Sequence, residues 1–103
     1  EKIDVYGSFQ SHAGAVKNDS NSELTRMYYI GDNTYTLSVV IPFAGTYDYS
    51  ISTYGTLSAT YQADGYPRSG SSNKAYFTTR KDNTVVRFRY QFISNKVTIE
   101  MFE

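Results

Sequence analysis

Gly31-Asp32-Asn33-Thr34-Tyr35-Thr36-Leu37-Ser38-Val39-Val40-Ile41-Pro42-Phe43-Ala44-Gly45-Thr46-Tyr47-Asp48-Tyr49-Ser50-Ile51-Ser52-Thr53-Tyr54 reads as a β-hairpin. Tyr35, Leu37, Val39 and Ile41 alternate with Thr36, Ser38 and Val40. After the corner, Tyr47, Tyr49 and Ile51 alternate with Asp48, Ser50 and Ser52. A period of two gives each strand one buried and one wetter face. Pro42 removes a ladder donor and presets φ, and Gly45 tolerates positive φ, so the chain reverses between them.

Working outward, residues 2–6 alternate as a strand that Gly7 interrupts with an expected bulge or bend before Ser8-Phe9-Gln10. Residues 11–23 are polar and turn-prone, rich in Asn, Asp and Ser. Met27-Tyr28-Tyr29 belongs to a strand joined to the hairpin through Gly31-Asp32-Asn33. Parity with Met27 assigns Tyr29 to the core and leaves Tyr28 outside. Residues 55–73 lose the pattern and read as a second long loop, of the kind that often carries function. Ala75-Tyr76-Phe77-Thr78-Thr79 forms a short strand. Val86, Phe88, Tyr90 and Phe92 then share one face against Arg87, Arg89 and Gln91. Ser94-Asn95 turns the chain into a last strand with Val97, Ile99 and Met101 on one side. With about seven short strands and no convincing helix, the expected fold is an all-β, immunoglobulin-like antiparallel β-sandwich.

A chain of 103 residues suits a single domain, 1–103. Its 10 basic and 10 acidic residues cancel without a charged block, which argues against nucleic acid or an anionic membrane as partner. No apolar run approaches the roughly 20 residues that cross a bilayer, so no membrane insertion is expected. The absence of cysteine excludes disulfides and cysteine-bearing zinc sites and leaves the compartment open. Eleven tyrosines and 6 phenylalanines exceed what so small a core encloses, so some tyrosines belong on the surface. A surface rich in Tyr, Ser, Thr and Asn is common in extracellular β-sandwiches and sugar-contacting proteins, which points to an extracellular or cell-surface location.

Several segments together resemble a known family: Val5-Tyr6-Gly7-Ser8-Phe9-Gln10-Ser11, Met27-Tyr28-Tyr29, the hairpin from Gly31-Asp32-Asn33 through Tyr47-Asp48-Tyr49, Val86-Arg87-Phe88-Arg89-Tyr90, and Asn95-Lys96-Val97-Thr98. This series is similar to the accessory β-sandwich modules, a kind of carbohydrate-binding module, of bacterial pullulanases and other amylolytic proteins. More distantly, the proline-glycine turn and tyrosine-rich strand resemble the glycogen-binding modules of branching enzymes and energy-sensing kinases. The resemblance implies binding to starch or maltooligosaccharide, an α-1,4-glucan with α-1,6 branches, beside neighbouring modules of a larger protein. Ser50 and Leu57 stand where the resembling modules commonly have a lysine and a tryptophan, and Tyr61 matches a tyrosine of their pattern.

Glucan recognition needs exposed aromatic faces, which cover the C–H patches of sugar rings, and a rim of donors and acceptors. Tyr54, Tyr61 and Tyr66 are the stacking candidates, with Gln62, Asp64, Asn73 and Lys74 as rim. Gln10 and His12 join them if their loop shares an edge with Tyr54. Asn18-Asp19-Ser20-Asn21-Ser22-Glu23 offers close-spaced oxygens but lacks the glycine and distant glutamate of a helical calcium loop, so no metal or cofactor is assigned. Arg87 and Arg89 are expected to pair with acids across the sheet. No cysteine nucleophile, histidine-centred constellation, phosphate loop or carboxylate pair is legible, and a non-enzymatic role is expected. The competing readings are a structural spacer and a protein-binding adhesin, the latter marked by an open sheet edge or apolar patch.

Overall fold

A computed structural model describes residues 2–15, 19, 21–53, 56–61, 67–68 and 75–103, with residues 53, 56–61 and 67–68 described as backbone. The strands are β1 (Ile3–Tyr6), β2 (Tyr28–Gly31), β3 (Thr34–Ile41), β4 (Gly45–Thr53), β5 (Thr56–Tyr61), β6 (Pro67–Arg68), β7 (Ala75–Thr79), β8 (Thr84–Gln91) and β9 (Lys96–Phe102). Two 3-10 helices, η1 (Ser8–Ala13) and η2 (Glu23–Thr25), follow β1. One sheet runs β1-β4-β5-β6 with β7 also on β4; the other runs β2-β3-β8-β9, and every pairing is antiparallel. The result is the all-β sandwich expected from the alternation. Strands β5 and β6 lie in the segment read as a loop, where Thr56–Tyr61 pairs with β4 although its sequence lacks a clean alternation.

Strands β3 and β4 do not form a hairpin. β3 pairs with β2 and β8, whereas β4 pairs with β1, β5 and β7. Pro42, Phe43 and Ala44 therefore carry the chain from one sheet to the other, and the two apolar faces meet across the core. Leu37, Val39 and Ile41 of β3 are buried, as are Tyr47, Tyr49 and Ile51 of β4. The corner is held by Asn83 N–H donating to the Pro42 carbonyl (3.2 Å) and Ala44 N–H donating to Asp82 Oδ1 (2.9 Å). The short hairpins are β2–β3 and β8–β9 in one sheet and β4–β5 in the other.

Aromatic rings join the sheets at the centre. Phe88 of β8 lies 5.5 Å from Phe77 of β7 and 5.4 Å from Tyr49 of β4, and Phe9 of η1 lies 5.4 Å from Phe88 and 6.0 Å from Phe77. Phe9 reaches this position because the chain bends at Gly7, one of the two expected outcomes, and β1 ends there. Gly7 has φ 153°, and a Cβ there would meet the Asp48 carbonyl oxygen at 2.2 Å. Just beyond, Ser8 N–H donates to Asp48 Oδ1 (3.0 Å) and Asp48 N–H donates to Ser8 Oγ (2.9 Å). All four residues of β1 are buried. Its open edge is covered where Met27 N–H donates to the Ile3 carbonyl (2.8 Å) and Arg26 grips the buried Asp4 carboxylate at 2.8 and 3.2 Å. That hydrogen bond raises the already high pKa of Arg26, and burial pushes the Tyr6 phenol up, a Ser50 hydrogen bond lowering it in part.

Candidate functional site

Tyr54, Tyr66, Gln62, Asp64, Asn73 and Lys74 lie outside the described residues. Tyr61 ends β5, its backbone paired with Pro67 of β6. The two candidates from the first loop are placed elsewhere than their predicted role requires. Gln10 is 0% exposed, and its amide is committed inside the fold. Gln10 Oε1 accepts from the N–H of Gly7 (3.1 Å) and of Asp19 (2.8 Å), while Nε2 donates to the Asp19 carbonyl (2.8 Å) and Thr25 Oγ1 (3.0 Å). An amide offers two donors and two acceptor lone pairs, so none is left for a ligand. Gln10 is a structural clasp that ties the first loop to η1 and η2.

His12 is exposed on η1, its ring edge-on to Tyr47 at 5.3 Å and to Phe43 at 6.1 Å. Tyr47 and Thr53 stand toward opposite ends of β4, roughly 20 Å apart at the rise of an extended strand. His12 thus flanks the Pro42 corner and not the end of β4 from which the chain continues to residue 54.

Tyr28 and Tyr29 are both exposed, at 69% and 56%, which corrects the expectation of a core Tyr29. Tyr29 does stand opposite the half-buried Tyr35. However, β2 is the outer strand of its sheet, and at this edge the facing sheet does not cover it. The Tyr29 ring lies 5.2 Å from that of Tyr35 at 56°, and Tyr35 lies 6.0 Å from Phe92 at 58°. Phe92, expected inside by alternation, is 40% exposed because β8 has ended at Gln91.

Two turns position these rings. Asp32 (φ 54°) and Asn33 (φ 58°) form a two-residue turn between β2 and β3, with the paired positive φ values of type I′ that Asp and Asn accept more readily than other residues. Asn33 N–H donates to Tyr29 Oη (3.3 Å), and Phe92 N–H donates to the Asn33 carbonyl (3.1 Å), which ties the β8–β9 turn to the first. In the second turn Tyr90 Oη donates to Asn95 Oδ1 (2.7 Å) and Ser94 Oγ to Gln91 Oε1 (2.7 Å). Sequence parity missed this grouping; the available signal was two Asn-bearing turns, each flanked by aromatics.

On the outer face of the same sheet, Arg87 and Arg89 share Glu100 at 3.5 and 3.9 Å, and the Arg87 guanidinium lies 4.9 Å from the centre of the Phe102 ring. The expected cross-strand pairing is thus present. Among the described residues no group of three or more His, Asp or Glu side chains is arranged to hold a metal ion.

The sequence model of the pullulanase X25 domain matches residues 2–97. Among solved structures, pullulanase from Bacillus acidopullulyticus is similar with a TM-score of 0.76 and 26% identity, over 95% of this chain and 11% of that one. The likeness therefore concerns one small part of that larger protein. Comparison with curated protein sequences finds no match. Since the family pattern runs through nearly the whole chain, from β1 into β9, and the sandwich recurs within a pullulanase, this protein belongs to the pullulanase X25 domain family.

Proposed function

We propose that this domain is a non-catalytic starch-binding module, which holds an attached enzyme or scaffold on α-1,4/α-1,6-glucan outside the cell. The observation that carries the reading is membership of the pullulanase X25 domain family over residues 2–97. An accessory domain beside an enzyme that acts on a large polymer gains most by raising local concentration. Tyrosine-rich composition supports it, since tyrosine joins a flat apolar face to a polar tip. Neighbouring modules and starch are the partners, with Tyr54, Tyr61 and Tyr66 as stacking residues and Gln62, Asp64, Asn73 and Lys74 as polar rim. A shallow single surface binds weakly, and tandem copies supply avidity.

Titration calorimetry tests this with amylopectin and maltoheptaose, xylan serving as control and Tyr54→Ala and Tyr61→Ala run in parallel. Heat with the α-glucans alone, weakened on the order of tenfold in either variant, is the expected result. A folded protein that gives no heat with any α-glucan overturns the reading in favour of a spacer.

A further inference from the structure

We infer that Tyr29, Tyr35 and Phe92 form a pyranose-stacking platform for an α-glucan chain, built by the β2–β3 and β8–β9 turns. The inference rests on the glucan-binding reading and gives it a surface beyond the tyrosines at 54, 61 and 66. Three aromatic rings stand in series, the half-buried Tyr35 lying 5.2 Å from Tyr29 and 6.0 Å from Phe92, and the two outer rings are exposed. Contiguous apolar surface of this kind, rimmed by polar groups, marks a contact site. The neighbouring ring planes are inclined at 56° and 58° and so are not coplanar, which suits a curved α-linked chain better than a flat ribbon-like glucan.

The rim fits a neutral polyhydroxyl ligand. Beside the rings, residues 31–33 and 92–95 contain Asn33, Ser94 and Asn95, and their single charge is Asp32, whereas Thr34 and Gln91 belong by register to the other face, with Arg89 and Lys96. Amides and hydroxyls both donate and accept, as sugar hydroxyls do. That near-neutrality disfavours a phosphate backbone or an acidic peptide, which would call for cations. The site is also pre-formed: the Asn33 N–H holds Tyr29 Oη and the Asn33 carbonyl holds the Phe92 N–H, so little ordering opposes binding.

The platform adjoins the end of β4. Thr53 pairs with Ile3, and the Ile3 carbonyl accepts from Met27 N–H at 2.8 Å, two residues before Tyr29. The rings thus lie at the Thr53 end of β4, whereas His12 lies beside Tyr47 toward its other end.

Calorimetry with maltoheptaose on Tyr29→Ala, Phe92→Ala and Tyr28→Ala decides the matter, accompanied by amide NMR spectra of the unmutated domain. Tyr28 sits on the opposite face, across from Thr36, and serves as the exposed-tyrosine control. The Tyr29 and Phe92 variants are expected to bind on the order of tenfold more weakly, and Tyr28→Ala within about twofold of the parent. The amide signals of Asn33 and Phe92 should shift on titration, a readout that holds even if a variant fails to fold. If the parent binds maltoheptaose but these signals stay still and both variants bind normally, the platform is wrong and the glucan reading survives. If the parent binds no α-glucan, both fall.

Discussion

Gln10 shows how one side chain changes meaning between sequence and structure. In the sequence it is a polar residue just beyond the first strand, suited to a ligand rim. In the fold it is a buried amide with four hydrogen bonds, each between 2.8 and 3.1 Å. Gln10→Ala leaves buried partners unsatisfied and is expected to lower stability by about 2–4 kcal/mol, read from urea unfolding. Maltoheptaose affinity of the folded fraction should not change. A loss of affinity at unchanged stability would return Gln10 to the ligand rim. Tyr29 moved the other way, from expected core to open platform. Its face was read correctly, since it stands opposite Tyr35, but its burial depended on how far the facing sheet extends, which no local pattern encodes.

At the scale of elements, the junction of β1 and η1 depends on Gly7. Any side chain there drives a Cβ to 2.2 Å from the Asp48 carbonyl oxygen, in a φ region that favours glycine. Gly7→Ala is expected to cost about 2–4 kcal/mol in chemical denaturation, because backbone on both sides must shift. The turns were the most legible elements: Asp32-Asn33 and Asn95 occur where the chain reverses, and all three residues take positive φ. Strand positions were legible from alternation in β3, β4, β7, β8 and β9. Strand β5 was not, because Thr56-Leu57-Ser58-Ala59-Thr60-Tyr61 carries few large apolar residues to set a period. Its place comes from the free edge of β4, to which it pairs from Thr53 back to Ser50.

For the whole molecule, the decisive contacts are those of the rings that bridge the sheets. Phe88 touches Phe9, Tyr49 and Phe77, which come from η1, β4 and β7. Phe88→Ala is expected to cost about 3–5 kcal/mol, a large share of the roughly 5–15 kcal/mol that holds a small domain folded. Calorimetric unfolding would show this as a much lowered midpoint or as loss of the transition; an unchanged midpoint would mean that the ring cluster does not hold the sheets together. The sequence by itself determined the class of fold, through two-residue alternation punctuated by Pro, Gly, Asn and Asp, and the family, through the order of its segments. Only the tertiary structure decided which sheet each strand joined. Leu37-Val39-Ile41 and Tyr47-Tyr49-Ile51 alternate identically whether they lie side by side or face each other across a core, and burial of both faces against one another selects the second arrangement. The same non-local fact, where one sheet ends and the other continues, left Tyr29 and Phe92 open to solvent.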